Sequence, residues 1–597
     1  MVNNRIREEV AIYRGSMMKY FFSSMLAIAF GNIGQIVGTI IIGNTISEDK
    51  LAVSSLVLPI YYVFATIGNM TGIGGSALCA KLIGGDRAKD CKKAYTVTYL
   101  ITVAASLLFS ALFLIFMPQV VTLLGTDPSL TKDVTDYATV MSIGGVFTAC
   151  VYLSFNFLRL DGKSLATTLT FVIMGALNVA FNFLLTAFIP LGITGISVAT
   201  SIGAASASLF GPILIANRSE SLGFVRVSFK EIRKFTRQIL QIGSPGATEN
   251  VSILLKNYLL NRIVVAFAGA AAMSSLSVLN SINSFATAII VGCAGALVPF
   301  IGVFSGERDY HGVRRTVKTA FLVCSVMLVV FVGIVFGFAP WVSALFGVSS
   351  EAGKAVATPA IRYFCISLLL SVFGNMLIYL HLANGHTVLS NVLTVLRNFV
   401  FVVLGALLLL PQIGAEGLGI AFIVCEAATL LVAAVMHLVT VLRKPELSFF
   451  LLVPKGDDNG RSVAICVRDE EEEMAGAIDA ISEFCAANQL SKRRTMLITL
   501  SMDEMFHSVA EHSTKNSKIH LISARILIRP ELTVMRIRYN GKRFNPIDYY
   551  ESRKRDSNDL DALLDLEDSI GIKMILDACD VVDYRTTFGL NNLTMLL

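Results

Sequence analysis

Three polar side chains interrupt an apolar stretch in the second half of the chain, and their spacing is that of one helix face. Glu249, Ser252 and Lys256 follow one another at intervals of three and four residues within GSPGATENVSILLKNYLLNRIVV. An ionisable group at the centre of a bilayer costs about 2.5–3.5 kcal/mol on insertion scales, so such groups typically serve an ion or proton pathway. Two interpretations stay open. Either Glu249, flanked by the amides of Asn250 and Asn257, binds an exchangeable cation, or Glu249 and Lys256 form a structural ion pair.

The apolar stretches of the first half carry polar groups without charge. Asn32, Gln35 and Thr39 share one helix face, and so do Asn178 and Asn182. Amides and hydroxyls form hydrogen bonds but do not titrate near neutral pH. The sequence therefore predicts a substrate cavity with neutral lining groups, namely Asn32, Gln35, Thr39, Asn178, Asn182 and Asn257.

The remaining ionisable groups in apolar stretches are interpreted as structural. Glu426 and Arg397 lie in consecutive apolar stretches, and we expect them to pair. His381 and His437 lie near the ends of such stretches and are interpreted as satisfied or exposed side chains rather than as a site.

The elements that hold these groups are membrane helices, because the composition excludes a soluble globular chain. Only 15% of the 597 residues are charged, 54% are hydrophobic and the mean hydropathy is +0.68, whereas soluble domains have about 25% charged residues. The ten cysteines show no metal-binding spacing, so we predict no metal site. The net charge of +6 comes mostly from basic loops and does not indicate nucleic-acid binding.

Twelve apolar stretches are long enough to cross a bilayer. They lie near 18–44, 51–80, 95–117, 136–158, 165–189, 194–216, 238–268, 272–304, 317–339, 357–383, 389–410 and 416–442. Lysine and arginine concentrate in the N-terminus and in the even-numbered loops, which the positive-inside rule places in the cytoplasm. Both termini are therefore predicted to be cytoplasmic, in agreement with an even number of helices.

The two halves of the chain repeat one another. Gly74 and Gly295 are 221 residues apart, and Pro118 and Pro340 are 222 apart. Helices one to six are thus predicted to recur as seven to twelve, with a cavity between the two halves near the bilayer midplane.

Residues from about 15 to 442 resemble the multidrug and toxic compound extrusion (MATE) transporters. The motifs that carry the resemblance are GIGGSALCAKLIGG, GALVPFIGVFSGERD, LGITGISVAT and LRNFVF. The resemblance implies an all-α polytopic membrane protein with 12 transmembrane helices in two six-helix lobes. It also implies export of organic cations driven by H+ or Na+ across the plasma membrane, and a cation-coupling site at Glu249, Asn250 and Lys256 on helix seven.

The first lobe departs from the family pattern at both of its acidic positions. Gly38 stands where many relatives carry an aspartate in helix one, and Asn182 stands at the aspartate position of helix five. Two alternatives therefore remain beside the exporter: a membrane sensor derived from a transporter, with the tail as its output module, and a lipid-linked precursor flippase. The few arginines within the spans argue against the flippase.

A polar linker, PKGDDNGRS, leads into a tail of soluble composition. Strands are expected near 462–467, 518–529, 531–539, 581–588 and 592–597, and helices near 470–488, 492–513 and 563–579. Strands in one block with helices on one side predict a two-layer α+β sandwich.

The tail resembles the ATP-binding fold of anti-sigma-factor serine kinases, within the GHKL group, over LITLSMDEMFHSVAEHS, IRYNGKRFNP and SIGIKMILDACDVVDYRTTFGLNNLTM. The resemblance implies nucleotide-binding positions at Glu504, Ser508, Asn540, Gly541 and Gly571. Ser508 replaces the magnesium-binding Asn, and YNG replaces the D-x-G box, so ATP and magnesium binding are expected to be lost. Kinase or ATPase activity is not expected, and a degenerate domain that binds a cytoplasmic regulatory protein is favoured.

The predicted organisation has five parts. They are an N-terminal lobe at 1–217, an inter-lobe linker at 218–237, a C-terminal lobe at 238–443, a linker at 444–461 and the GHKL-like domain at 462–597. The expected partners are the lipid bilayer, small organic cations and a regulatory protein at the tail.

Overall fold

A computed structural model describes residues 15, 17–31, 49–85, 87–124, 130–188, 191–219, 221–345, 351–414, 416–455, 461–513, 521–529, 532–556, 570–587 and 590–597. The chain divides into compact units, and the boundary between the long apolar unit and the tail lies at Lys455 and Gly456. The predicted positions Asn32, Gln35, Gly38 and Thr39 lie outside the described residues.

Helices make up the first unit throughout its described length. Its first half holds α1 Met17–Gly31, α2 Asp49–Gly84, α3 Ala88–Ile115, α4 Met117–Leu123, α5 Thr131–Leu160, α6 Ser164–Phe183 with a π-helical turn at Leu184–Phe188, and α7 Gly192–Arg218. Its second half holds α8 Phe229–Gly306, α9 Tyr310–Gly337, α10 Ala339–Leu345, α11 Glu351–Asn384, α12 Thr387–Val395, a π-helical turn at Leu396–Val400, α13 Phe401–Ile413 and α14 Glu416–Arg443. We call α1–α7 the first lobe and α8–α14 the second lobe.

Ten described stretches are long and apolar enough to cross a membrane, which fits a polytopic, mostly helical membrane protein. The predicted first span, 18–44, is described only as far as Gly31 and is therefore a shorter apolar helix here. The predicted seventh span, 238–268, belongs to α8, in which Val278–Gly306 alone meets the criterion for a span.

The 78 residues of α8 cannot run straight, because both of its ends contact the same part of α2. Gly246 packs against Asn69, whereas Gly302 packs against Ala80. A rise of 1.5 Å per residue separates the two α2 positions by about 17 Å and the two α8 positions by about 84 Å. The chain of α8 therefore reverses direction between these contacts and passes α2 twice.

Local backbone geometry recurs between the lobes at the offset of the sequence repeat. The corner between α3 and α4 at Phe116 has φ −100° and ψ 21°, and Phe338, 222 residues later between α9 and α10, has φ −101° and ψ 22°. Gly192 and Gly414, also 222 residues apart, both have positive φ, 59° and 68°. The repeat thus extends from residue types to backbone conformation.

The two copies of the repeated small-residue stretch pack against each other. A Cβ added at Gly302 would lie 2.5 Å from the Cβ of Ala80, and one added at Gly84 would lie 2.2 Å from the carbonyl oxygen of Val303. Real Cβ atoms are not found at such distances, so only small residues allow α2 and the end of α8 to come this close. The stretch therefore forms the contact between the lobes.

The tail contains one antiparallel sheet of order β1-β2-β3-β5-β4. Its elements are β1 Ser462–Arg468, α15 Glu471–Ala487, α16 Lys492–Ser513, β2 Leu521–Ile528, β3 Thr533–Tyr539, α17 Pro546–Asp556, α18 Ile570–Ala578, β4 Val581–Thr587 and β5 Leu590–Leu596. Alternate strand residues such as Ala524, Ile537 and Leu593 pack with the helices in one apolar core. The predicted small sheet is present, and α17 is an element that sequence analysis missed.

Candidate functional site

Glu249 lies inside the bundle. It belongs to the first half of α8, which begins with a capping box between Ser228 and Glu231. The carboxylate is within hydrogen-bonding reach of Tyr379 on α11, and it is close enough to Tyr152 on α5 to act on its phenol electrostatically. Neighbours from both lobes therefore surround Glu249, which forms no ion pair within the part of the chain that the structure describes.

Arg397 and Glu426 form the strongest charge contact in this region. The guanidinium binds the carboxylate in bidentate geometry, with Nε donating to Oε2 at 3.0 Å and Nη2 donating to Oε1 at 2.6 Å. Its Nη1 donates to Oδ1 of Asn398 at 3.1 Å. Glu426 is 7% exposed. The pairing expected from the sequence is confirmed.

The LRNFV motif forms a π-helical turn, and this turn places Arg397. A π turn inserts an extra residue into the helical ladder and is often found at functional sites. The carbonyl oxygen of Arg397 accepts a hydrogen bond from the Cys425 thiol at 3.1 Å, beside Glu426. The irregular backbone thus binds α14 through both its main chain and its side chain.

This arrangement gives Glu249 and Glu426 different chemistry. Glu426 is held by two charge-assisted hydrogen bonds, so its protonation would break a buried pair. Arg397 acts on Glu249 electrostatically without binding it directly. Glu249 can therefore gain or lose a proton without breaking an ion pair, whereas Glu426 cannot.

The structure does not bring Glu249 and Lys256 together. They are separated by two helical turns, about 10.5 Å along the axis, and no ion pair joins them in the described residues. Lys256 instead lies within electrostatic range of Arg397 and Cys425. Asn250 has a buried amide nitrogen for which the described residues provide no acceptor, and Asn257 is partly exposed.

A cavity of about 370 Å³ borders the same half of α8. Its lining consists of Ala247, Thr248, Val251, Ser252, Leu255, Val395 and Phe399. One wall is fixed by Asn391 of α12, which accepts from the hydroxyl of Thr248 at 2.7 Å and donates to that of Ser244 at 2.7 Å. The cavity is apolar with a hydroxyl border, as small-molecule sites commonly are.

The first-lobe amides Asn178 and Asn182 form a closed hydrogen-bonded chain. Asn182 donates to Oδ1 of Asn178 at 3.0 Å, and Asn178 donates to Oγ1 of Thr200 at 3.1 Å. Asn182 is fully buried, and its amide oxygen has no donor among the described residues. In this structure Asn182 lies within the lobe, where a substrate in a central cavity does not reach it.

Two histidines interpreted as isolated side chains form a buried pair. Nε2 of His381 and Nε2 of His437 are 2.8 Å apart, and Nδ1 of His437 is 2.7 Å from the carbonyl oxygen of Phe449. These histidines are 56 residues apart in sequence, so no spacing rule could have paired them. Their positions at the ends of adjacent helices were the available signal.

The nucleotide-site positions of the tail are close together, but they contact one another. Oγ of Ser508 donates to the carboxylate of Glu504 at 3.3 Å. Gly571 packs so closely on that carboxylate that an added Cβ would lie 2.1 Å from its carbon. The amide oxygen of Asn540 accepts from the backbone of Leu521.

Tyr539 occupies the interior at the position where the resemblance expects an aspartate. It is 1% exposed, and its hydroxyl donates to the carbonyl oxygen of Phe544 at 2.5 Å. Burial raises the pKa of this phenol well above its usual value, with the neighbouring Tyr584 adding to the effect. Gly541 lies against Ser513, where a Cβ would overlap the hydroxyl. The side chains of Tyr539 and Glu504 thus fill the space around these positions.

The family model for MatE matches this chain twice, over residues 24–184 and 245–408. Two curated relatives are multidrug export proteins named MepA. The one from Staphylococcus saprophyticus is 24% identical over 448 residues, which are 73% of this chain and 95% of the relative. The one from Staphylococcus haemolyticus is 23% identical over 370 residues, which are 62% of this chain and 80% of the relative.

Solved structures of similar fold cover 72% of this chain. One is described as the outward-facing conformation of a multidrug resistance MATE family transporter of the MOP superfamily, with a TM-score of 0.68, 18% identity and 96% of that chain covered. Another is a MOP superfamily transporter from Pyrococcus furiosus, whose description reports a reversed polarity of the binding pocket. It has a TM-score of 0.64, 19% identity and 96% coverage.

Proposed function

Because the chain belongs to the MatE family, whose members are transporters rather than enzymes, we propose that it is a secondary antiporter. It exports small organic cations across the plasma membrane in exchange for an inward-moving cation. The observation that carries this proposal is the position of Glu249, which is buried between the lobes beside Tyr379 and forms no ion pair in the described residues.

The proposed architecture has twelve spans with both termini in the cytoplasm. Ten spans are present in the described residues, α1 is the described part of an eleventh, and the first half of α8 is the twelfth. The reversal of α8 supports this count, because the helix passes α2 twice. The basic residues near the α2–α3 corner, including Lys89 and Lys93, place that end of the bundle on the cytoplasmic side.

We propose that the coupling ion is H+ rather than Na+. A bound sodium ion needs several oxygen ligands and is repelled by fixed positive charge. Arg397 acts on both Glu249 and Lys256, so two cationic side chains lie in this region. A proton needs only the carboxylate oxygen, and its uptake leaves a neutral acid that can donate a hydrogen bond.

The cavity beside Ser252 is the proposed binding region for the organic part of the substrate. Its apolar side chains on α8 and at Val395 and Phe399 suit an aromatic or aliphatic body, and the Glu249 carboxylate on the same helix suits a cationic group. Protonation of Glu249 removes that negative charge and thereby releases the cation. One carboxylate thus links proton uptake to substrate release.

The tail is proposed to be a degenerate GHKL-like domain that binds a regulatory protein. The filled interior at Tyr539 and the contact between Glu504 and Gly571 support loss of the nucleotide site. Binding of labelled ATP to the purified full chain, with and without magnesium, tests this. We expect no saturable binding, and tight magnesium-dependent binding would overturn the proposal.

The central test is ethidium accumulation in cells that express the wild type or Glu249→Gln. We expect wild-type cells to accumulate less dye than cells without the protein, and the variant to lose that difference. Glu416→Gln, at the start of α14, is the matched control and retains export. In proteoliposomes, an imposed proton gradient but not a sodium gradient is expected to drive uptake. Sodium-driven transport would refute the choice of ion.

The alternative function is a sensor derived from a transporter. The neutral pair of Asn178 and Asn182 favours it, because one of the two lobes has lost its titratable group. Under this alternative neither the wild type nor Glu249→Gln exports dye, and ligand binding to the membrane unit changes the affinity of the tail for its partner.

A further inference from the structure

A hairpin follows α14 and packs on the end of the second lobe. It comprises residues 444–455, and it is closed by hydrogen bonds from the backbone N–H of Ser448 to the carbonyl of Val453, and from that of Lys455 to the carbonyl of Glu446, both 2.8 Å. Leu452 at its tip is 2% exposed. We call residues 444–455 the α14 hairpin.

Side chains of the second lobe hold the α14 hairpin by its backbone carbonyls. Arg314 on α9 donates to the carbonyl oxygens of Pro454 and Lys455, at 2.5 and 2.8 Å. His437 on α14 binds the carbonyl oxygen of Phe449 at 2.7 Å. His386, in the turn between α11 and α12, lies within hydrogen-bonding reach of the Leu452 backbone. The chain leaves this hairpin directly into the tail.

The acceptors fix the hydrogen positions of the buried histidine pair. The carbonyl of Phe449 can only accept, so Nδ1 of His437 carries a hydrogen. Nε2 of the neutral His437 is therefore an acceptor, and the hydrogen between the rings belongs to Nε2 of His381. Nδ1 of His381 then has no hydrogen, which agrees with its lack of a partner in the described residues. The chain of bonds is complete when both rings are neutral.

An added proton has no favourable place in this chain. Protonation of His381 puts an N–H on its buried Nδ1, for which the described residues provide no acceptor. Protonation of His437 at Nε2 opposes two N–H groups at 2.8 Å unless His381 changes tautomer, and the N–H again moves to Nδ1 of His381. A buried N–H without a partner costs about 1–3 kcal/mol, and more with a charge.

The surrounding charges also oppose protonation. Lys81 on α2 and Lys444 in the hairpin are the cations that act on His386, whose pKa is lowered first by burial and then by these two ammonium groups. Glu446 of the hairpin and Glu307 at the end of α8 are the nearest carboxylates in sequence to this contact. Neither forms an ion pair with a histidine of the cluster in the described residues.

We propose that the α14 hairpin is a pH-sensitive clasp between the transport unit and the tail, closed by the neutral His381–His437 pair and released when the cytoplasm acidifies. The sign follows from the bonds. The closed form holds the pair neutral, so its stability is fully present above the ordinary histidine range, about pH 6.5, and falls as the pH decreases through it. This inference concerns control of the tail and goes beyond the proposed transport function.

Hydrogen–deuterium exchange of the full chain in lipid nanodiscs tests the proposal. Peptides covering residues 447–455 are compared at pH 7.5 and 5.5 after correction for the chemical effect of pH on exchange. One linked proton with an ordinary histidine affinity in the open form predicts about tenfold faster exchange at pH 5.5. Peptides from β5 serve as the internal reference and keep their protection.

The variant His381→Gln/His437→Asn retains an amide donor toward Phe449 but cannot titrate. We expect its hairpin peptides to exchange equally at both pH values, whereas His507→Asn, at an exposed site in the tail, behaves like the wild type. Equal protection of the wild type at both pH values overturns the proposal. A tenfold change that persists in the double variant does so as well, because the response would then come from another group.

Discussion

The two lobes repeat one backbone design but contain different polar chemistry. The second lobe buries a bidentate Arg397–Glu426 pair beside the unpaired Glu249. The first lobe buries the neutral amides Asn178 and Asn182, which bond to each other and to Thr200. The π-helical turn that carries Arg397 has no counterpart at the same offset, because that of the first lobe lies at Leu184–Phe188.

This difference shows that helix packing and ion chemistry are separable properties of the repeat. Corners such as Phe116 and Phe338 keep their dihedral angles while the polar positions change from acid to amide. A neutral amide in place of a carboxylate keeps hydrogen bonding but removes proton exchange. One lobe can therefore retain the scaffold alone while the other performs the coupling.

The largest expected effect is that of Glu426→Gln in the second lobe. The substitution leaves the buried Arg397 guanidinium without its carboxylate, and breaking a buried pair in this way costs about 3–5 kcal/mol. Thermal unfolding of the purified protein in detergent measures the loss. The double variant Arg397→Met/Glu426→Met is expected to unfold at a higher temperature than Glu426→Gln, because it leaves no uncompensated charge. A single variant as stable as the wild type would contradict the difference between the lobes.

The corresponding change in the first lobe is Thr200→Val, which removes the hydroxyl that accepts from Asn178. A single neutral hydrogen bond contributes about 1 kcal/mol, so the loss should be several times smaller than that of Glu426→Gln. Thr186→Val is the matched control, because its hydroxyl donates only to carbonyls of its own helix. If Thr200→Val destabilises the protein as much as Glu426→Gln, the first lobe holds a stronger polar network than a neutral chain.

Much of the scaffold could be predicted because it depends on local pattern. The spacing of apolar stretches and the offset of about 222 residues led to the repeat, and alternating strands in the tail led to β1–β5 within a few residues. The pairing of Arg397 with Glu426 was predictable because two opposite charges in adjacent apolar helices have few other partners.

Contacts between distant parts of the chain could not be predicted in this way. His381 and His437 were interpreted singly, because nothing in the sequence reports that two helix ends meet. The spacing of Glu249 and Lys256 indicated one helix face, but seven residues are two turns, too far for the ion pair. The helix α17 was missed because Pro546–Asp556 is strongly polar and carries little apolar periodicity.

The contact of Gly302 with Ala80 gives this single polypeptide the internal geometry of a fused homodimer. In a twofold assembly one surface patch meets a second copy of itself, and here the two patches are the duplicated stretches of α2 and α8. A change in either stretch therefore alters the surface that the other must fit. A methyl group gained at Gly302 requires space lost from Ala80, so these ancestral twins are bound to diverge as a couple.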